Sequence, residues 1–230
     1  MEQCLGNCVT CLKANFSLFK GLSDEDLAIV NNGRTKLFFD KGDFLYKEGV
    51  TPNGLLCLTE GKVKLSRTGK IENEFIVGLH KPVDFIGFDD LMGNRNYSSS
   101  AIAIEPVALC LIKKEHLFKV IKKNPEFAFK IIQELSEQVE SFKERLLNLT
   151  QKQIEERLAF ALNELIEFFG FEKDGKTLAI QIKRREIAAI SNMNTANVIR
   201  TLSKFKKDKI IDTEKKSILI LDRNKLTRLL

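Results

Sequence analysis

The sequence predicts an α+β chain in three parts: an N-terminal antiparallel β-roll or jelly roll, one long helix, and a C-terminal helix-turn-helix closed by a β-hairpin wing. Three observations predict it. Between Leu37 and Ile112 short apolar runs are punctuated by glycines. From Pro125 onward, apolar residues recur at spacings of three and four. Lys183 to Leu221 then reads as two short helices followed by two short strands.

In chain order, Ser23 ahead of Asp24-Glu25-Asp26 opens a short helix, with a hydroxyl cap and an acidic first turn that complements the helix dipole. The strand-like text follows as KLFFDKGDFLYKEG, GLLCLTEGKVKL, NEFIVGL, DFIGF and SSSAIAIEPVALCLI, with Gly42, Gly49, Gly61 and Gly87 at turns or bends. Internal repeats and low-complexity segments are not found.

The long helix starts near Pro125, a residue suited to a first turn. Ile132, Leu135, Val139, Phe142, Leu146 and Leu149 make a heptad seam over about three heptads, while Glu134, Gln138, Glu140, Lys143 and Glu144 fill the other faces. Such a stripe either packs on its own barrel or meets its twin in a parallel dimer.

Glu186 to Ser191 forms the next helix, Asn192-Met193-Asn194 the turn, and Asn194 can cap a second helix from Thr195 to about Lys207. Val198, Leu202 and Phe205 make its inward stripe, which rotates Ala196, Arg200, Ser203 and Lys207 to the solvent face. That face has the shape and chemistry to enter a DNA major groove. Ile210-Ile211, a TEKK turn and Ser217 to Leu221 form the wing, whose Lys215 and Lys216 can touch phosphates. A reader of symmetric half-sites needs a two-fold partner, which favours the homodimer use of the seam.

Composition agrees and excludes alternatives. At 230 residues and 43% hydrophobic, the chain can hold one large or two ordinary domains. Its net charge is +6, yet residues 177 to 230 carry 13 Lys/Arg against 5 Asp/Glu, leaving the rest slightly acidic. The basic charge is therefore local, as a module for double-stranded DNA requires. No apolar run suits a membrane span, and the first residues lack a signal-peptide pattern, so a cytoplasmic protein is expected. Five cysteines in a reducing compartment argue against a disulfide framework. No phosphate-binding glycine loop, H-E-x-x-H or G-x-S-x-G occurs, and His80 and His116 have no evident nucleophile partner, so no enzyme is expected. A cysteine-based redox or iron–sulfur protein without specific DNA binding is the rival reading, and it leaves the basic C-terminal part without a role.

Roll, long helix and winged helix-turn-helix together resemble the Crp/Fnr family of bacterial transcription regulators, over nearly the whole chain. KGDFLYKEG and LLCLTEGKVKL are similar to its first roll strands, DFIGF to the centre of its ligand pocket, and IEERLAFAL to the segment leaving the dimer helix. The resemblance implies a cyclic-nucleotide-binding-like sensor domain over residues 1–122, a dimerisation helix over 123–152 and a DNA-binding domain over 153–230. It also implies a homodimer that meets RNA polymerase.

Family members that bind cyclic AMP carry Gly-Glu and Arg-Ser pairs; the matching sensor-pocket positions here are Gly87-Phe88 and Ser98-Ser99. A phosphate without its arginine, near Asp89 and Asp90, would be unpaired and repelled, so a different small-molecule or redox signal is expected. Iron–sulfur members use N-terminal cysteines and one from a late roll strand. Cys4, Cys8 and Cys11, spaced C-x3-C-x2-C, together with Cys110, are the matching metal candidates, with Ser17 where a further ligand would stand. Either Cys4 replaces that ligand, or the cluster has three cysteines, or there is none. Zinc and then haem rank behind an iron–sulfur cluster: His80 reads as a turn or surface residue and His116 as one on a solvated helix face. Cys57 reads as a small buried hydrophobe, and Cys110 stands between that reading and a ligand.

Within the second helix, Arg200 matches the family's recognition arginine and suits a bidentate contact to guanine. The family's recognition glutamate falls at Ala196 and the small residue three further on at Ile199. Both can pack on thymine methyl groups, which predicts a site richer in A·T contacts than the family's usual palindrome. Thr195 and Asn197 can touch phosphate or a base edge, while Lys204, Lys207, Arg184 and Arg185 suit phosphate contacts.

Overall fold

The computed structural model describes residues 17–68 and 74–230. The chain divides into two compact units, and the main division falls at residues 140 and 141, inside the long helix.

In the first unit a 3₁₀ turn at Ser17–Phe19 precedes α1 (Asp24–Asn32). As the sequence predicts, Ser23 Oγ accepts from the Asp26 backbone N at 3.1 Å. Strands β1 (Arg34–Phe39), β2 (Phe44–Tyr46), β3 (Gly54–Glu60), β4 (Val63–Thr68), β5 (Glu74–His80) and β6 (Phe85–Ile86) follow. Then come a short α2 (Phe88–Met92), β7 (Ser100–Ala103), β8 (Val107–Lys113) and α3 (Lys114–Lys123). The strands form two four-stranded sheets, ordered β1-β8-β3-β6 and β2-β7-β4-β5, and the pairs with a described register are antiparallel. Each of the four glycines expected at turns has a positive φ, between 65° and 96°.

The continuous apolar text of β3 and β8 has a direct cause: both strands are buried on both faces. Leu56, Leu58, Val107 and Leu109 point into one core with Tyr46, Val63, Ile86, Tyr97, Ala101 and Ala103. Leu55, Cys57, Cys110 and Ile112 point the other way, into a second core with Leu27, Val30, Leu117, Val120 and Phe127. The strands come unusually close at Gly54, where an added Cβ would stand 2.2 Å from the Ile112 carbonyl oxygen.

His116 departs from its expected solvated face. Its Nδ1 lies 2.9 Å from the Ile29 carbonyl oxygen, and the ring covers Gly33, where a Cβ would meet it at 2.4 Å. Helical periodicity alone could not reveal this, because α1 is brought over α3 only by the fold.

The long helix α4 spans Pro125–Gln151. Its cap is Asn124, whose Oδ1 accepts from Phe127 N at 3.0 Å. The helix carries two apolar stripes where the sequence suggests one seam. Phe127, Ile131 and Leu135 pack into the second core of their own unit. Ile132, Val139, Phe142 and Leu146 face outward at 61%, 53%, 67% and 50% exposure, joined by Phe129. Leu135 is thus a correction: it serves its own core. The Leu149 side chain lies outside the described ones.

The second unit contains α5 (Ile154–Phe169), α6 (Arg184–Ser191), α7 (Thr195–Lys207), β9 (Ile211–Glu214), β10 (Ser217–Ile220) and α8 (Arg223–Thr227). Leu158, Leu162 and Leu165 of α5, Ile187 of α6, Val198, Leu202 and Phe205 of α7, and Ile211 and Ile218 of the wing are buried. The wing turn is tighter than TEKK: Glu214 pairs with Ser217, so only Lys215 and Lys216 turn. A third edge, not expected, lies beside it, with Leu178 N donating to Ile218 O and Ile220 N to Lys176 O.

Candidate nucleic-acid interface

The interface is built on a rigidly started helix. Asn192 sits in the left-handed region (φ 50°) at the end of α6, which Asn tolerates well. Asn194 then caps α7, its Oδ1 accepting from Asn197 N at 2.7 Å. Val198, Leu202 and Phe205 are buried as their spacing predicts. Thr195, Ala196, Ile199, Arg200, Ser203 and Lys207 are exposed on the remaining surface.

The outward side chains are not equally disposed. Arg200 Nη2 donates to Asn197 Oδ1 at 2.7 Å, one turn back along α7, so these two predicted residues form a pair. Ser203 Oγ donates to the Ile199 carbonyl at 2.9 Å. Ile199 remains 51% exposed, a large aliphatic surface that shares the face with exposed Ala196. Lys204 is turned back onto Glu155 of α5, and that hydrogen bond raises its pKa; it is anchored within its own unit. Lys206, which the sequence reading passed over, is 2.5 Å from Asp212 and ties α7 to β9, holding that carboxylate below its usual range.

Lys215 and Lys216 occupy the exposed wing tip, Lys215 in the left-handed region at φ 52°. Arg185 is exposed at the start of α6. Arg184 is half-buried, with Nη2 3.5 Å from the Lys215 carbonyl, and burial lowers its pKa. One motif therefore brings together Thr195, Ala196, Asn197, Ile199, Arg200, Ser203 and Lys207 on α7, with further cations on α6 and the wing. An exposed surface that carries arginine, lysine, threonine and serine side chains has the donor types that phosphate and base-edge contacts use.

The roll residues fall elsewhere. Gly87 (φ 65°) starts α2, Phe88 is buried in the second core, Ser98 is half-buried and Ser99 buried. Asp90 differs from its exposed neighbour Asp89: it is 2% exposed and held by Arg95 and Ser98. Cys57 and Cys110 are register partners across β3 and β8 and are both buried. Cys4, Cys8 and Cys11 lie outside the described residues. Among the described residues no group of three His, Cys, Asp or Glu side chains is placed to hold a metal. Cys110 shares its core with Leu18 and Phe19. His80 Nδ1 is 3.4 Å from Asp84 Oδ2.

Comparison with known proteins agrees with this layout. Residues 21–124 match the cyclic nucleotide-binding domain model, and residues 156–229 match the Crp-like helix-turn-helix domain. The chain is 26% identical over 228 residues to the transcriptional activator protein anr of Pseudomonas aeruginosa, covering 97% of this chain and 92% of that one. It is 29% identical over 192 residues to the fumarate and nitrate reduction regulatory protein of Vibrio cholerae, covering 82% and 76% respectively. A CRP/FNR-family transcriptional regulator from Thermus thermophilus has the same fold, with a TM-score of 0.73 at 24% identity over 85% of this chain and 97% of that one. With both halves matched in this order and the relatives aligned across them, the chain belongs to the Crp/Fnr family of transcription regulators.

Proposed function

We propose that this protein is a homodimeric, sequence-specific DNA-binding transcription regulator whose roll domain takes a small-molecule or redox signal other than cyclic AMP. The observation that carries the reading is the outer face of α7: Arg200 at its centre, on a capped helix whose opposite face is buried. Arg200 reads a guanine, Ala196 and Ile199 meet thymine methyl groups, and Thr195, Asn197 and Ser203 touch base edges or backbone. Lys207, Arg185, Lys215 and Lys216 contact phosphate, with Arg184 and Lys204 in supporting positions at the rim. Lys215 adds weight to this, since a lysine at φ 52° is strained where glycine or asparagine would not be.

In this reading residues 1–122 are the sensor, 123–152 the dimerisation helix and 153–230 the DNA-binding part. The outward stripe of Ile132, Val139, Phe142 and Leu146 supports pairing of α4 with its twin. The protein works in the cytoplasm without enzymatic activity and meets RNA polymerase. Among the described residues no helix is long and apolar enough to cross a membrane. Cys110 supplies one thiolate to an N-terminal cysteine cluster, if the signal is redox; iron, sulfide and zinc assays on anaerobically purified protein separate that route from a small-molecule one.

The test is DNA binding by anisotropy across a salt series. Wild type selects an A·T-richer site from random DNA, and Arg200→Ala loses about 1 to 3 kcal/mol at one base position. Uniform weakening over all sequences would assign Arg200 to phosphate, and absence of salt-sensitive binding would remove the DNA reading altogether.

A further inference from the structure

Asp90 has an environment that its neighbour Asp89 does not suggest. Its carboxylate is buried, and three donors converge on it. Oδ1 accepts from Arg95 Nε at 2.7 Å. Oδ2 accepts from the Ser98 backbone N at 2.8 Å and from Ser98 Oγ at 3.0 Å. Arg95 Nη2 also reaches Asp89 at 3.1 Å, which fastens the guanidinium at the rim of the loop. A guanidinium, a hydroxyl and an amide N–H meeting at one buried point form a donor set for an oxyanion, whether carboxylate, phosphate or sulfate.

The loop is closed around this point. Tyr46 and Tyr97 are buried and stacked, with ring centroids 3.5 Å apart and planes 9° from parallel. Gly87 admits no side chain beside them, since a Cβ would stand 2.5 Å from Tyr97 Cε1. Ser98, one of the positions where a ligand phosphate would be met in cyclic-AMP-binding relatives, gives both its donors to Asp90.

We propose that Asp90 is the resident anion of this pocket: a carboxylate, carried by the chain itself, that occupies the oxyanion donors of the roll and excludes anionic ligands from them. Because it is tethered, its effective concentration at those donors exceeds what a dilute anion offers. The signal then acts on the roll at a place other than the loop from Gly87 to Ser99. The inference rests on the reading of the roll as a sensor domain, but its test reads stability and anion binding, so it stands or falls separately from DNA recognition.

Thermal unfolding of the full-length protein in phosphate or sulfate, against chloride at equal ionic strength, tests it. Wild type shows only the shift that its DNA-face cations give, which sets the baseline. Asp90→Ala melts lower, and about 20 mM phosphate or sulfate recovers several degrees beyond that baseline that chloride does not. Adding Arg95→Ala abolishes that recovery. A folded Asp90→Ala protein with no anion-specific recovery overturns the proposal. Asp90→Asn keeps the shape and removes the charge, and it is expected to lose about tenfold in the folding equilibrium constant. Wild-type stability in Asp90→Asn would overturn the proposal even if Asp90→Ala fails to fold.

Discussion

In the proposed reading, Lys215 serves DNA binding against the preference of its own backbone. At the two-residue wing turn it adopts φ 52°, where a side chain is unfavourable by about 1 kcal/mol relative to glycine. Lys215→Gly is therefore expected to raise stability by about 0.5 to 1 kcal/mol in urea unfolding. The same change should weaken DNA binding and reduce the salt slope by about one unit per protomer. If affinity is unchanged, Lys215 has no phosphate contact. Asn194 is the opposite case, a residue whose local role was legible outright: its side chain caps α7, as its position before the apolar stripe predicts. Asn194→Ala should cost about 1 kcal/mol. Asp90 was illegible for a physical reason. Two adjacent acids look solvated, and only closure of the loop brings Arg95 and Ser98 onto one of them.

Among elements, α4 teaches most. A heptad pattern states that apolar residues lie on one side of a helix, but not what covers them. Leu135 belongs with Phe127 and Ile131 in the unit's own core, whereas Ile132, Val139 and Phe142 point outward. Replacing Val139 and Phe142 with glutamate should leave the fold intact and yield a monomer by light scattering; an unchanged molecular mass would reject pairing through this stripe. The loop before the third edge of the wing has its own pH dependence. Asp174 accepts from the backbone N of Lys176 and Thr177 and from Thr177 Oγ1, and these hydrogen bonds, the hydroxyl's foremost, hold its pKa at about 2. The folded value lies below the ordinary one near 3.9, so the stabilisation is present above about pH 4 and is lost as pH falls through about 2. The stability gap between wild type and Asp174→Ala should shrink accordingly on acidification, and a gap independent of pH would deny the carboxylate its role.

For the whole molecule, the distribution of charge matters more than its sum. A net charge of +6 is mild, but the cations concentrate in the part that carries α6, α7 and the wing. Binding by a dimer engages two such surfaces, so the slope of log affinity against log salt should fall by roughly half in the monomeric α4 variant. An equal slope in the two proteins would mean that one surface alone meets DNA.

The sequence by itself determined the order of the parts, the capped α7 and its inward stripe, the wing, and the family. These depend on local periodicity, capping and turn chemistry, which act over a few residues. Tertiary structure alone decided that Leu135 faces its own core, that His116 covers Gly33, that Lys204 is held by Glu155, and that Asp90 is enclosed by Arg95 and Ser98. Each of these depends on which surfaces the fold brings together. Burial changes the energetics of a charge far more than any neighbour in sequence does.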